Sequence, residues 1–214
     1  MSSRMPGMHS YHHGDLRQAL IAATETLLAE QGPESFSLRE AARRAGVSPA
    51  APAHHFGDSS GLLTAVATQG FEGLAQALRE GEERGGKDAR RRLREQGIAY
   101  VQYANRYPGR FRLMFSHALL RKDPDLQRAG NEAFLVLENG VRAAFAAPAS
   151  AALSPEAWSA VLALWSVVHG YAHLAIAGRL EPLQCKPRGR APADVLAFLL
   201  DRVIDGCVPR KAKR

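Results

Sequence analysis

The side chains best suited to chemistry in this chain are its eight histidines and two cysteines. His12-His13 and His54-His55 are adjacent pairs; neighbouring side chains on a helix diverge, so His54 and His55 cannot hold one metal ion by themselves. Cys185 and Cys207 lack metal-ligand spacing, and so few cysteines favour a reduced, cytoplasmic protein. Phosphate-binding glycine loops, Gly-x-Ser-x-Gly and His-Glu-x-x-His do not occur in the sequence. The sequence therefore predicts no catalytic residue, no metal site, no cofactor and no enzyme.

Positively charged side chains offer a different chemistry, the binding of nucleic acid. The 214 residues carry a net charge of +7 and have a pI near 9.8, which makes a nucleic acid a reasonable partner. The first 60 residues nevertheless hold five arginines against six acids. The positive excess lies between Arg79 and Arg94 and in the last five residues. We interpret Arg90, Arg91, Arg92 and Arg94 as a solvated helix face. Charge alone therefore does not locate a nucleic-acid surface.

The elements that would position these side chains are helices. Ala, Leu, Arg and Glu dominate, 46% of the residues are hydrophobic, and no alternating run of Val, Ile or Thr marks a strand. Apolar periodicity, capping residues and proline or glycine boundaries predict an all-α fold of about nine helices. Their expected bounds are 15–32, 37–45, 48–56, 58–81, 89–107, 111–120, 123–145, 154–178 and 192–206.

The second and third predicted helices are short and lie between two longer ones. Ser37 begins a Ser-x-x-Glu capping box, in which the serine oxygen accepts from the backbone N–H three residues on and the glutamate reaches back. Gly46 supplies a left-handed turn, and Ser48 caps a third helix with Pro49 in its first position. Pro52 lies inside this helix and is expected to remove one early backbone hydrogen bond. The pattern predicts a helix-turn-helix unit.

The stretch from Tyr11 to Leu78 resembles the N-terminal domain of the TetR family of bacterial repressors. The resemblance rests on segments in a fixed order and spacing: Gly14-Asp15-Leu16, Ala29-Glu30-Gln31-Gly32, Phe36 to Ala42, Arg43 to Ser48, His55-Phe56-Gly57-Asp58 and Leu62-Leu63. It implies a homodimer that binds a double-stranded DNA operator, with the third helix in the major groove and the ends of helices one, two and four at phosphates.

The resemblance also implies roles for single residues. Phosphate contacts are expected from Ser37, Ser48 and His55, and base contacts from Arg39, Pro49, Ala50 and His54. Arg39 is the best candidate for a bidentate contact to guanine. The chain departs from the family at two positions, with Ala53 in place of the usual tyrosine and Ser59 in place of the usual lysine. Both usual residues hold phosphates, so we expect modest operator affinity and contacts to thymine methyl groups.

The C-terminal half resembles the effector domain of one TetR subgroup through Trp165-Ser166-Val167-Val168-His169-Gly170. A pocket for an unidentified small-molecule effector is expected at aromatic and polar residues of helices five to eight: Tyr100, Tyr103, Phe111, Met114, Phe115, His117, Phe134, Trp165 and His169. The penultimate helix has a face of small residues, predicted to meet a second copy, and a bulky face with Trp158, Leu162 and Trp165, predicted to pack inward. The expected dimer contacts are Ser159, Ala163, Ser166, Gly170, His173, Leu196, Leu199, Leu200 and Val203.

These patterns predict a flexible arm at 1–13, a DNA-binding domain at 14–60, an effector-binding and dimerisation domain at 61–206, and a basic tail at 207–214. The apolar stretch from Ala160 to Ala177 is interrupted by Ser166, His169 and His173 and is predicted to be a buried helix and not a membrane span. No signal peptide is expected. The leading interpretation is a cytoplasmic repressor released by its effector; the alternative is a helical scaffold protein with a degenerate DNA-binding head.

Overall fold

The structure, a computed structural model, describes residues 13–180 and 192–209. This part of the chain forms nine α-helices and contains no strand, which confirms the predicted all-α fold. The helices are α1 (His13–Gln31), α2 (Leu38–Arg44), α3 (Ala51–Phe56), α4 (Ser59–Arg84), α5 (Ala89–Arg106), α6 (Pro108–Met114), α7 (Pro124–Ala144), α8 (Pro155–Ile176) and α9 (Pro192–Cys207). Short 3-10 turns occur at Pro33–Ser35 and His117–Leu119. Most of the predicted arm, most of the loop 179–190 with Cys185, and the end of the basic tail lie outside the described residues.

The third helix begins two residues later than predicted. The N–H of Ala51 donates to the Ser48 carbonyl at 3.1 Å, so residues 48–51 form a turn and Ala50 is the N-cap. Pro52 therefore lies in the first turn of α3, where backbone N–H groups have no helical acceptor in any case. The predicted loss of a hydrogen bond at this proline is wrong.

Helix α4 connects the N-terminal and C-terminal parts of the molecule. Its first turns bury Leu62, Leu63 and Val66, which belong to the same apolar core as α1 residues such as Leu20. Its later turns pack against α5, α6 and α7. It also continues to Arg84, beyond the predicted end at residue 81. One 26-residue helix thus spans from the N-terminal head, defined here as residues 13–60, into the C-terminal domain.

Helix α6 packs directly against the head. A Cβ atom at Gly109 would stand 2.2 Å from the Leu28 carbonyl oxygen of α1, so only glycine allows this approach. The next residue, Arg110, forms an ion pair with Glu25 of α1. The helix ends at Met114, earlier than predicted, and a 3-10 turn follows. Helices α6 and α1 are therefore in direct contact.

Helix α8 packs inward through a face that differs from the prediction. Its buried residues are Ala157, Ala160, Val161, Leu164, Val168 and Ala172. Trp158, Leu162 and Trp165 were predicted to pack inward but are 42%, 52% and 36% exposed. The prediction was wrong because α5 and α9 meet the side of α8 rich in alanine and valine, where small side chains permit close helix packing. The helix is consequently buried on one side only.

Candidate DNA-binding surface and effector cavity

The helix-turn-helix unit is held by local hydrogen bonds. The Ser37 side chain caps α2 by accepting from the Glu40 N–H at 3.4 Å, as predicted. After α2, Gly46 adopts a φ of 68°, and the N–H of Val47 donates to the Ala42 carbonyl at 3.1 Å. Such a left-handed residue ends a helix and turns the chain sharply. These bonds fix the direction of α3 relative to α2.

Acidic side chains neutralise part of the positive charge of α2. Glu40 does not reach back to the cap as predicted; it forms two hydrogen bonds with Arg43, at 2.7 and 2.8 Å, and one with Arg44 at 3.0 Å. Hydrogen bonds from Arg43 and Arg44 lower the pKa of Glu40 to about 2. Arg44 also pairs with Glu30 of α1 at 2.7 Å. Arg39, which is exposed, forms no ion pair with any residue that the structure describes.

The residues predicted to contact DNA lie on the outer surface of the head. The structure exposes eight of them: Ser37, Arg39, Ser48, Pro49, Ala50, Ala53, His54 and Ser59. His55 is half-buried beside Phe56, whose ring packs in the core with the Arg17 guanidinium 5.4 Å from its centroid. The burial of Phe56 orients α3 so that its other side faces solvent. The individual DNA contacts stay predictions.

Arg121, which is distant in the sequence, contacts the last residue of α3. Arg121, in the connection between α6 and α7, places its Nη1 atom 3.4 Å from the carbonyl oxygen of Phe56, the last residue of α3. Its backbone N–H donates to the Thr64 hydroxyl of α4 at 3.1 Å. No sequence pattern indicates this contact, because 65 residues separate the two partners.

A cavity of about 880 Å³ lies in the C-terminal domain among α4 to α9, within the range of roughly 300–1,000 Å³ typical of small-molecule sites. Its walls are mainly apolar. Six of the nine predicted pocket residues line it: Tyr100, Met114, Phe115, His117, Phe134 and Trp165. It also has polar residues that the prediction missed, including Gln96, Arg121 and Lys122.

The other three predicted pocket residues do not line this cavity. The Tyr103 hydroxyl donates to the Gly70 carbonyl at 2.7 Å, which ties α5 to α4. Phe111 is fully buried and packs edge-on against Tyr100, with 5.6 Å between ring centroids. His169 lies against Phe115, with 4.5 Å between ring centroids. All three residues connect helices around the cavity.

His169 forms a hydrogen bond with another side chain of the protein. Its Nδ1 atom lies 2.8 Å from the Tyr100 hydroxyl, so the ring is hydrogen-bonded to α5. Burial, with a smaller contribution from the nearby His173, lowers the pKa of His169, and burial raises the pKa of Tyr100. The folded protein therefore favours the neutral imidazole and the protonated phenol.

The predicted dimer residues divide into two groups. On α8, Ser159, Ser166, Gly170 and His173 are exposed and Ala163 is half-buried; on α9, Leu199 and Val203 are half-buried. Leu196 and Leu200 are buried in the chain's own core, and Leu200 lines the cavity, so their prediction as contacts of a second copy is wrong. The reason is that one side of α9 packs on α5 and α8.

Comparisons with known proteins agree with both parts of this arrangement. The profile described as "Bacterial regulatory proteins, tetR family" matches residues 20–66, which cover most of the head and the start of α4. The profile described as "Tetracyclin repressor-like, C-terminal domain" matches residues 93–203, which include most of α5, all of α6 to α8 and most of α9. No curated protein matches. The chain belongs to the TetR family and is a transcriptional regulator with a helix-turn-helix DNA-binding domain. Members of this family are regulators of transcription and not enzymes.

Solved structures share the whole fold. A protein of unknown function from Rhodococcus sp. RHA1 is 32% identical, with a TM-score of 0.77, and the match covers 94% of this chain and 100% of that one. A TetR family transcription regulator from Marinobacter aquaeolei VT8 is 21% identical, with a TM-score of 0.65 over 92% of this chain and 97% of that one. The TetR family regulator PfmR from Thermus thermophilus is 19% identical, with a TM-score of 0.62 over 92% and 96%. The last two matches bear on the fold alone.

Proposed function

We propose that this chain is a homodimeric repressor that binds a double-stranded DNA operator through α2 and α3 and is released by a small-molecule effector. The observation that carries the proposal is the exposed face of the helix-turn-helix unit. Arg43 and Arg44 are held by Glu40, whereas Arg39 is exposed and free of ion pairs within the described residues. A guanidinium in this position can donate two hydrogen bonds to guanine in the major groove.

The remaining surface of the head offers few hydrogen-bond donors. Pro49, Ala50 and Ala53 are exposed but apolar, and they suit contacts with thymine methyl groups. Ser37, Ser48 and Ser59, with His54 and His55, supply small polar groups for phosphates. Because the described head carries more acids than arginines, we expect its affinity for DNA to depend on these few contacts and on pairing of two heads.

Dimer formation is supported by the exposed side of α8. This helix is long and apolar enough to cross a bilayer by length and composition, yet only 28% of its most apolar window is buried. In a soluble, cytoplasmic regulator of this family, such a surface is best covered by a second copy. We therefore assign the α8 face, defined as Ser159, Leu162, Ser166, Gly170 and His173, to the dimer interface, together with Leu199 and Val203 of α9. Small residues in this face allow two helices to approach closely.

The effector would act through α6. Met114 at the end of this helix lines the cavity, while Gly109 and Arg110 at its start contact α1 of the head. A ligand that favours a different position of α6 would change the separation of the two heads and weaken operator binding. The Trp165 to Gly170 segment, which resembles one TetR subgroup, forms part of this effector domain.

A scaffold protein with a weak DNA-binding head is the second candidate. It is favoured by Ala53 and Ser59, two exposed small residues at positions where the family commonly carries tyrosine and lysine. Such a protein would dimerise through the α8 face but would not select a DNA sequence.

Binding-site selection from a pool of random DNA duplexes separates the two candidates. The repressor is expected to enrich a symmetric sequence with two half-sites about one helical turn apart. Arg39→Ala should enrich a degenerate sequence at the guanine position. The absence of any enriched sequence with the unaltered protein would contradict the repressor and favour the scaffold.

A further inference from the structure

The edge of the cavity formed by the connection between α6 and α7 is positively charged. Among the described residues that line the cavity, the basic side chains are His117, Arg121 and Lys122, and the one acid is Asp123. Asp123 is occupied as the N-cap of α7, where its Oδ1 atom accepts from the N–H groups of Asp125 and Leu126 at 3.0 and 3.2 Å. The arginine and the lysine are therefore the side chains there with charge available to a ligand.

Arg121 is held only loosely in the structure. Its side chain is 50% exposed, and its Nε atom lies 4.0 Å from the Asp123 carboxylate, the limit of an ion pair. Its contact with the Phe56 carbonyl is long, at 3.4 Å. A guanidinium forms shorter and stronger paired hydrogen bonds with a carboxylate. An anionic group at this edge would therefore offer Arg121 a shorter contact than either of these.

The rest of the cavity suits an apolar body. Phe71, Leu74, Leu93, Phe134, Leu164 and Val168 contribute its walls. Gly130 of α7 also lines it, and a Cβ atom placed there would meet nothing within 4 Å, so this wall faces open space. A cationic ligand would be repelled by Arg121 and Lys122, and a fully apolar ligand would form no ion pair with either of them. Charge and polarity together select an apolar acid.

We infer that the effector is an apolar organic acid and that Arg121 recognises its carboxylate. This inference rests on the proposed function, in which the cavity holds the effector. Because Arg121 also contacts the last carbonyl of α3, a carboxylate that draws its guanidinium away removes a positive charge from the C-terminal end of that helix. The ligand then acts on the DNA-binding head through α3 as well as through α6.

Three probes with twelve carbon atoms in the chain test the inference: dodecanoate and dodecyltrimethylammonium below their micellar concentrations, and dodecanol below its solubility limit. Calorimetric titration gives the affinities, and the fluorescence of Trp165, which lines the cavity, reports where the probe binds when it is measured in a Trp158→Phe variant. Dodecanoate is expected to bind at least tenfold more tightly than either of the other probes. Equal binding of the acid and the alcohol, tighter binding of the ammonium, or no binding of the acid would overturn the inference.

Variants assign the preference to one residue. Arg121→Gln is expected to lose the tenfold preference while still binding dodecanol, and Arg121→Lys should restore most of it. Arg128→Gln is the matched control, since it removes the same charge from α7 at a residue that pairs with Asp125 and Glu132 outside the cavity. Arg121→Gln with an unchanged preference, or Arg128→Gln with an equal loss, would overturn the role of Arg121.

Operator binding is measured separately, without any ligand, on a duplex obtained by site selection. If the protein prefers one DNA sequence but does not prefer dodecanoate over the other probes, the inference about the effector is wrong and the proposed repressor function is kept. If the protein prefers no DNA sequence, the proposed repressor function is wrong, regardless of the affinities measured for the three probes. If dodecanoate binds and releases the operator from the unaltered protein but not from Arg121→Gln, both are supported.

Discussion

The head and the α8 face are both exposed, but the two surfaces are built in different ways. The head presents arginine, serine, histidine and small apolar residues on two short helices, which are fixed by the Ser37 cap of α2 and by left-handed glycines after α2 and α3. The α8 face presents Leu162 and small residues on a long helix, whose orientation is fixed by packing against α5 and α9. Polar groups that must reach DNA are thus positioned locally, whereas the surface assigned to a second copy is positioned by the tertiary fold.

The two surfaces also differ in what a substitution should do. A change on the head should alter the affinity for particular DNA sequences and leave the assembly intact. A change on the α8 face should alter the assembly and, through it, binding to every sequence. Substitutions on the two surfaces should therefore be separable, and the α8 face should give the largest effect.

Leu162→Glu should disrupt the dimer. The carboxylate would be buried without a partner between two copies of α8, and self-association should weaken by about 100-fold or more. Sedimentation equilibrium measures the monomer–dimer constant, and operator binding should fall with it. Leu135→Glu on α7 is the control, because Leu135 is similarly exposed, 45% against 52%. Equal effects of the two substitutions would place the interface elsewhere.

Arg39→Ala should relax base preference without affecting the dimer. The loss of a bidentate contact to guanine is expected to reduce discrimination by about 1–3 kcal/mol per half-site. Arg43→Ala removes the same charge from the same helix, but Arg43 is paired with Glu40 and should matter less for sequence choice. Competition binding with single-base operator variants distinguishes them. A larger loss of discrimination in Arg43→Ala would mean that the two roles are reversed.

Two glycines on neighbouring helices should respond in opposite directions. Gly109→Ala would push a methyl group into the Leu28 carbonyl and should cost about 1–3 kcal/mol in the free energy of unfolding. Gly130→Ala meets nothing within 4 Å and should stabilise α7 by about 0.5–1 kcal/mol. Urea denaturation of both variants provides the test. Destabilisation by Gly130→Ala would contradict the open cavity wall.

The smallest expected effect is a pH dependence in the C-terminal domain. Because the pKa of His169 is lowered in the folded state, the unfolded chain takes up the proton first as the pH falls below about 6.5. The free energy of unfolding should therefore decrease between about pH 7.5 and pH 5.5, and His169→Gln should reduce this decrease. His117→Gln, at an exposed residue, is the control. An unchanged pH dependence in His169→Gln would contradict the assignment.

The contrast between the surfaces also explains what could be predicted from the sequence. The helix-turn-helix unit depends on contacts within a few residues, such as the Ser37 cap and the turn at Gly46, and both could be predicted from residue types in the sequence. The start of α3 was misplaced because Ser48 and Pro49 resemble a helix start as closely as they resemble the turn they form.

The inward and outward sides of α8 and α9 could not be predicted, because apolar residues occur around both helices. Which side is buried depends on how they pack against α5. The sequence therefore predicts that Leu162 packs inward and that Leu200 contacts a second copy. In the structure Leu162 is exposed and Leu200 is buried in the chain's own core. Likewise, nothing in the sequence near Arg121 indicates its contact with α3.

Fluorescence anisotropy of the unaltered protein is the most direct test of operator recognition. The titration compares a duplex obtained by site selection with a shuffled duplex of the same composition, at two salt concentrations. A repressor should prefer the selected duplex by at least ~10³-fold at the higher salt concentration. Equal binding to both duplexes, weakened in parallel by salt, would contradict sequence-specific regulation by this protein.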